Sequence, residues 1–189
     1  MNDMLKEFGD SRAQMAGAPD YQHPQSDIIL EECQELLAKL PEGKRLLEAA
    51  KEKGFKYQVI TGKIPDFHVT GNDTLVLVCP ANTKAVDLEE MACNMGMGIR
   101  ALEQPHVGFQ KPQFGNDSPQ NVHAVRQHFL DITIEMCIIV SEIYDANNNS
   151  KIVDLLDKLG HRELYEAYRS GKSKEEMAEI YFKSVNAVT

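Results

Sequence analysis

Residues 121–147 constrain the fold more than any other part of this sequence. Their pattern predicts one long helix, roughly 40 Å in length at 1.5 Å per residue. Apolar residues nearly encircle it, and a helix of that kind is typically buried. A thin polar line remains, made of His128, Asp131, Glu135, Glu142 and Asp145. We expect this line to be the solvent face of the helix; the alternative is a row of buried polar groups.

The composition places limits on the class of protein. A chain of 189 residues with 42% hydrophobic and 26% charged residues is typical of one soluble globular domain. The net charge of -9 argues against a surface for nucleic acid or for an anionic membrane, since both require clustered cations. The acidic, polar start of the chain predicts no signal peptide. The four widely spaced cysteines predict buried free thiols in a reducing cytoplasm.

The rest of the chain reads as helices around a small sheet. Alternating and β-branched residues predict three strands over residues 55–60, 67–70 and 74–79, joined by tight turns as an antiparallel meander. The third strand is apolar on both faces, so we place it against helices. We therefore expect an α+β fold, with a flexible arm over residues 1–26 and a single domain over residues 27–189. Helices are expected over residues 27–40, 41–53, 86–104, 121–147, 151–159, 161–170 and 174–185.

The helix over residues 86–104 carries the groups of greatest chemical interest. Asp87 and Glu90 have the spacing of a capping box, which marks its start. Gly96 and Gly98 each cost roughly 1 kcal/mol in a helix interior, so we expect another element, first of all the long helix, to approach closely there. Besides its apolar stripe, this helix presents a set of polar or small residues: Glu89, Glu90, Cys93, Gly96 and Arg100.

This order of elements resembles the minimal core of the zincins, in particular bacterial metallopeptidases of that type. The resemblance is carried by Pro65-Asp66-Phe67, by the run from Thr74 to Pro80, and by the run from Leu88 to Cys93. It implies a helix with an H-E-x-x-H motif and a third ligand, a glutamate, from the next long helix.

The motif itself departs from the family pattern. Glu89 and Cys93 stand where the two zinc-binding histidines would be, Glu90 stands at the general base, and Glu135 is the candidate third ligand. Two anionic donors in place of neutral imidazoles would weaken the Lewis acidity of a bound zinc ion. The resemblance therefore implies a framework that has lost its catalytic site, with no catalytic residues and no cofactor.

We expect a catalytically inactive, zincin-like domain that serves as a binding or regulatory module in the cytoplasm. Its partner would be a peptide or protein held between the third strand and the central helix; a homo-oligomer is left open. The expected pocket lining is Glu89, Glu90, Cys93, Arg100 and Glu135. One alternative is a metal-dependent hydrolase that holds zinc or another metal through Glu89, Cys93 and Glu135. Another is a plain helical scaffold or homodimer with an accidental resemblance; strands that do not pack beside the central helix would end the argument for zincin-like ancestry.

Overall fold

The computed structural model describes residues 23–82, 86–111, 113, 116 and 118–187, with side chains as far as residue 183. The expected α+β fold is confirmed, because helices surround one three-stranded sheet. Most of the predicted arm, residues 1–22, lies outside the described residues. His23 belongs to the folded domain, since its side chain is only 2% exposed and its backbone N–H donates to the Val59 carbonyl at 3.0 Å. The helices are α1 Ser26–Ala38, α2 Pro41–Lys53, α3 Leu88–Glu103, α4 Pro119–Asn147, α5 Lys151–Lys158, α6 Arg162–Arg169 and α7 Lys174–Ala187, with a 3-10 turn Gln104–Val107.

The sheet is mixed, and the predicted antiparallel meander is wrong. The strands are β1 Lys56–Gly62, β2 Asp66–Thr70 and β3 Thr74–Pro80, and their order is β1-β3-β2. β3 is parallel to β1 and antiparallel to β2. The physical reason is burial: β3 is buried on both faces over residues 75–79, whereas β1 and β2 are partly exposed, so the most apolar strand takes the centre. Residues 63–65 therefore connect β1 to β2 past the end of β3.

Helix α3 lies at the centre of the domain, in contact with β2, β3, α1, α2 and α4. The Asp87 side chain caps its start by accepting from the backbone N–H groups of Glu89 and Glu90 at 3.0 and 3.2 Å. A methyl group added at Gly96 would meet Ile139 of α4, which confirms the close approach of the long helix. One added at Gly98 would instead meet Leu75 of β3. The two glycines thus let α3 approach the long helix and the sheet.

A side chain from α4 caps the start of α2. The residue before α2, Leu40, has no side chain that can cap, and Pro41 opens the helix. The Glu142 carboxylate accepts from the backbone N–H of Glu42 at 3.1 and 3.0 Å. A carboxylate at this end also suits the helix dipole. This contact fixes α2 against α4 and so determines where the first turn of α2 lies.

The C-terminal helices cover the other side of α4. Arg169 of α6 donates to Ser141 and to Asp145, both at 2.6 Å. Ser173 and Glu176 form a capping box at the start of α7, because they exchange hydrogen bonds of 2.9 and 3.2 Å. In the part of the chain that the structure describes, no helix is both long and apolar enough to cross a membrane.

The two glycines of α3 provide a paired test of the packing. We expect Gly98→Ala to lower the free energy of unfolding by about 1–3 kcal/mol, because the new methyl would lie 2.2, 3.0 and 3.1 Å from three side-chain carbons of fully buried Leu75. Gly96→Ala should cost less, because its 2.2 Å contact is with the terminal methyl of Ile139, which can rotate away, and the gain in helix propensity offsets part of the cost. Urea unfolding of both variants measures the difference; an equal or larger loss for Gly96→Ala would contradict this packing.

Candidate functional site

Arg100, near the C-terminal end of α3, makes three charged hydrogen bonds, two of which join α3 to α4. Its Nε and Nη2 atoms donate to the two carboxylate oxygens of Asp131 on α4, at 2.7 and 3.1 Å. Its Nη1 atom donates to Glu103 at 2.6 Å. Each nitrogen of this guanidinium group therefore has a carboxylate partner, in the planar fork geometry that suits arginine.

Arg45 brings helix α2 into the same network. Its Nη1 atom donates to Glu103 at 2.8 Å, and its Nε atom donates to Glu42 at 2.5 Å. Glu103 thus bridges two arginines on two helices. Burial raises the pKa of Glu103, but the hydrogen bonds from Arg45 and Arg100 outweigh it and hold the pKa below its ordinary value. Glu103 is therefore a carboxylate at neutral pH.

Gln104 completes the network from the 3-10 turn. Its side chain is fully buried, and Nε2 donates to Asp131 at 2.8 Å and to the His128 carbonyl at 3.0 Å. Asp131 therefore accepts from both Arg100 and Gln104. These contacts fix its carboxylate in one position at the edge of the site.

Glu135 lies one turn further along α4 and differs from the other carboxyl groups. It is 5% exposed, yet its Oε2 atom is 3.8 Å from Arg45 Nη2 and 3.9 Å from Arg100 Nε, too far for a hydrogen bond. Among the groups that the structure describes, its Oε1 atom is buried without a hydrogen-bond donor. A buried carboxylate in this position is costly.

The protonated form of Glu135 is favoured. Burial raises its pKa to about 8, the Glu42 carboxyl acts in the same direction, and the two arginines oppose the shift. Glu42 is near enough to share a hydrogen bond with Glu135 when one of the two carries a proton. Glu135 is thus largely a neutral acid at pH 7, in contrast to Glu103.

A cavity of about 240 Å³ opens beside these groups. We call it the charged cavity; its lining is Glu42, Arg45, Arg100, Asp131, Ile134, Glu135, Ile138 and Lys174. A second cavity of about 270 Å³ shares Asp131, Ile134 and Lys174 with it, and we call this the adjoining cavity. Its remaining lining is more apolar and consists of Phe109, Gln127, Leu130, Glu175 and Ala178. The shared lining makes a polar chamber with a less polar extension.

The five residues that were predicted to line one pocket do not all lie together in the structure. Arg100 and Glu135 line the charged cavity together. Glu89 lies at the other end of α3, where it accepts from the side-chain amides of Asn147 and Asn149 at 3.0 and 2.5 Å. The two ends are about 16 Å apart, at 1.5 Å per residue from Glu89 to Arg100. Glu90 is partly buried at the Glu89 end, and burial raises its pKa.

Cys93 does not face Glu135, because α3 and α4 run antiparallel. Glu89 meets Asn147, Gly96 meets Ile139 and Arg100 meets Asp131. This register places Cys93 opposite residues near 143, two turns beyond Glu135. The Cys93 thiol is fully buried in the hydrophobic core, and burial, followed by the charge of Glu89, raises its pKa.

These positions do not suit the altered metal site. Cys93 lies two helical turns from Glu135, so these two side chains cannot bind the same metal ion. Over the described residues, no three His, Cys, Asp or Glu side chains are arranged to hold a metal ion. Glu89, Cys93 and Glu135 therefore do not form the expected ligand set. All four cysteines are buried and free, which confirms the prediction of buried free thiols.

The expectation of a solvent-facing polar line on α4 is wrong for its middle. Glu135 is buried and the Asp131 side chain is 16% exposed, whereas Asp145 at the far end is exposed. Sequence reasoning also missed Glu42, Arg45, Glu103 and Lys174. A signal was present: Arg100 and Glu103 at i and i+3, and Asp131 and Glu135 at i and i+4, place charges on one face of two otherwise apolar helices.

The sheet packs beside α3 through β2 and β3, which is the arrangement that the zincin-like framework requires. No protein-family model matches the chain, and neither the curated proteins nor the solved structures contain a match to it. Function is therefore inferred from the geometry of the charged cavity.

The raised pKa of Glu135 predicts a pH-dependent stability. The pKa of Glu135 in the folded protein, about 8, lies above its ordinary value of 4.5. The stability that protonated Glu135 contributes to the folded state is therefore fully present below about pH 4.5 and is lost as the pH rises through 8. Glu135→Gln keeps a neutral hydrogen-bond donor and cannot ionise. We expect the variant to match the wild type near pH 5 and to exceed its unfolding free energy at pH 9 by about 4 kcal/mol. Urea unfolding at both pH values measures this. A variant less stable than the wild type at pH 9 would show that the Glu135 carboxylate stabilises the fold.

Proposed function

We propose that this domain is a binding module whose site is the charged cavity together with the adjoining cavity. In this proposal the chain keeps a zincin-like framework without a working metal site, and it acts in the reducing cytoplasm that its free thiols suit. The observation that carries the proposal is Glu135, a buried carboxyl group with an unsatisfied oxygen on the wall of a cavity.

A purely structural role accounts poorly for Glu135. The arginines beside it are already paired: Arg100 with Asp131 and Glu103, and Arg45 with Glu42 and Glu103. Glu135 makes no hydrogen bond to either arginine, so it adds little to this network while it carries the cost of desolvation. Costly buried groups with a shifted pKa that line a cavity are concentrated at functional sites.

The shape of the site limits how a partner can bind. Both edges of β3 are occupied by β1 and β2, so a peptide cannot pair with that strand as the sequence led us to expect. A chamber of about 240 Å³ has room for one side chain or one small ligand. The proposed partner therefore inserts a single group into the charged cavity and leaves the sheet unchanged.

Methyl NMR with small probes tests this function. The δ1-methyl signals of Ile134 and Ile138 report on the charged cavity, and that of Ile152 on α5 is the internal reference. The probes are n-butylamine, sodium butyrate, n-butanol, methylguanidine and inorganic phosphate, added one at a time. We expect at least one probe to shift the two cavity signals saturably and to leave Ile152 in place.

Two substitutions to tryptophan serve as matched variants. Ile138→Trp fills the cavity and should remove the response, whereas Ile28→Trp adds the same bulk at an exposed site on α1 and should retain it. The absence of a saturable response to any probe would contradict the proposal. One-to-one zinc binding that Cys93→Ala and Glu89→Ala both abolish would instead establish the altered metal site.

A further inference from the structure

We propose that the charged cavity binds a primary alkylammonium group, with the Glu135 carboxylate as its counter-ion. This inference rests on the proposed function, since it names the ligand class of the same site. It follows from the balance of charges around the cavity, from the apolar walls beside it, and from the proton that Glu135 would exchange.

The network contains more carboxyl groups than cations. Four carboxyl groups face three cations, Arg45, Arg100 and Lys174, and each arginine is already bound by two of the carboxyl groups. An anionic ligand would have to compete with these carboxylates for guanidinium groups that they already occupy. A cationic donor would instead meet Glu135 Oε1, which lacks a donor among the described groups. The four carboxyl groups are Glu42, Glu103, Asp131 and Glu135.

An alkylammonium group suits the cavity better than a bare metal ion does. No group of three metal-ligating side chains is found where the structure describes them. An ammonium group needs hydrogen-bond acceptors and tolerates an apolar wall for its carbon chain. Ile134 and Ile138 line the charged cavity beside Glu135, and Phe109, Leu130 and Ala178 line the adjoining cavity. The head group and its alkyl chain therefore each have a suitable chamber.

Binding exchanges one positive charge for another. In the free protein the Glu135 carboxyl carries a proton; when the ammonium group enters, the O–H bond breaks, the proton passes to solvent, and the carboxylate pairs with the ligand. Burial and Glu42 keep the pKa of Glu135 at about 8 in the free protein. The charged and titratable groups that face it are Glu42 and Arg45 of α2, Arg100 and Glu103 of α3, Asp131 of α4 and Lys174 of α7.

The same ligand chemistry has two sources, a free amine or the lysine side chain of a partner protein. n-Butylamine represents the first source, and Nα-acetyl-lysine N-methylamide, which keeps its side-chain ammonium group, represents the second. Both stay protonated up to pH 9, because alkylamines titrate near the lysine value of about 10.4. Tighter binding of the lysine derivative assigns the site to a partner protein, and tighter binding of butylamine assigns it to a free amine; both outcomes support an ammonium site.

The test is a titration of each amine at pH 6, 7, 8 and 9, followed by the Ile134 and Ile138 methyl signals. With a pKa of about 8 for Glu135, the dissociation constant should fall about ninefold from pH 6 to 7 and about fivefold from pH 7 to 8. The dissociation constant should then change less than about twofold from pH 8 to pH 9.

Two variants test the role of Glu135 in this titration. Glu135→Gln should weaken amine binding at least about tenfold at pH 8 and remove its pH dependence. Glu90 is a partly buried carboxyl group at the other end of α3, so Glu90→Gln should leave the affinity for the amine and its pH dependence unchanged.

Lys174 distinguishes a cation site from an anion site. It lines both cavities from the start of α7 and is exposed. Lys174→Gln removes a positive charge, so it should tighten amine binding about two- to fivefold and would weaken the binding of an anion.

One outcome would overturn this inference without contradicting the proposed binding function. In that outcome no amine binds, butyrate or phosphate binds, and Lys174→Gln weakens the binding of that anion. Amine binding that is independent of pH and of Glu135 would also overturn it. If no probe binds, the proposed function itself fails.

Discussion

The ion pair between Arg100 and Asp131 is the contact on which the site depends. It joins α3 to α4 in a two-pronged geometry, and Glu103 extends it to Arg45 on α2. Three helices from distant parts of the chain thus meet at one partly buried network. The net contribution of this ion pair to stability depends on complete pairing. Burying the charges costs desolvation free energy, and only fully hydrogen-bonded partners offset that cost. Each nitrogen of Arg100 is paired, as that condition requires. Glu135 stands inside the same network without such pairing, and this contrast marks it for a different role.

Local patterns predicted the elements well, because each depended on neighbours in sequence. The cap at Asp87 was predicted from residues a few positions apart, and the structure confirms it. The sheet order was predicted wrongly, since three short strands with tight connections are compatible with more than one pairing. The decisive quantity was the relative burial of β3, which was visible in its apolar run but was assigned to packing against helices and not to a central position.

The predicted pocket did not assemble as expected because of the register between α3 and α4. Glu135 and Cys93 were placed together because the family pattern supplies a third ligand from the next helix. The antiparallel pairing of α3 and α4 instead sets Glu135 beside Arg100 and Glu103, and it leaves Glu89 with Asn147 and Asn149. Register between two helices depends on packing, here on Gly96 against Ile139, and single-sequence periodicity does not specify it. Two of the five predicted residues, Arg100 and Glu135, do share a cavity.

The account centres on one claim, that Glu135 is held as a neutral acid beside two paired arginines. Its side-chain carboxyl carbon can be followed directly by carbon-13 NMR across a pH titration, with Glu135→Gln used to assign the signal. We predict a titration midpoint near pH 8. A midpoint close to the ordinary value of 4.5 would show that the carboxylate is stabilised in place, and it would contradict the account.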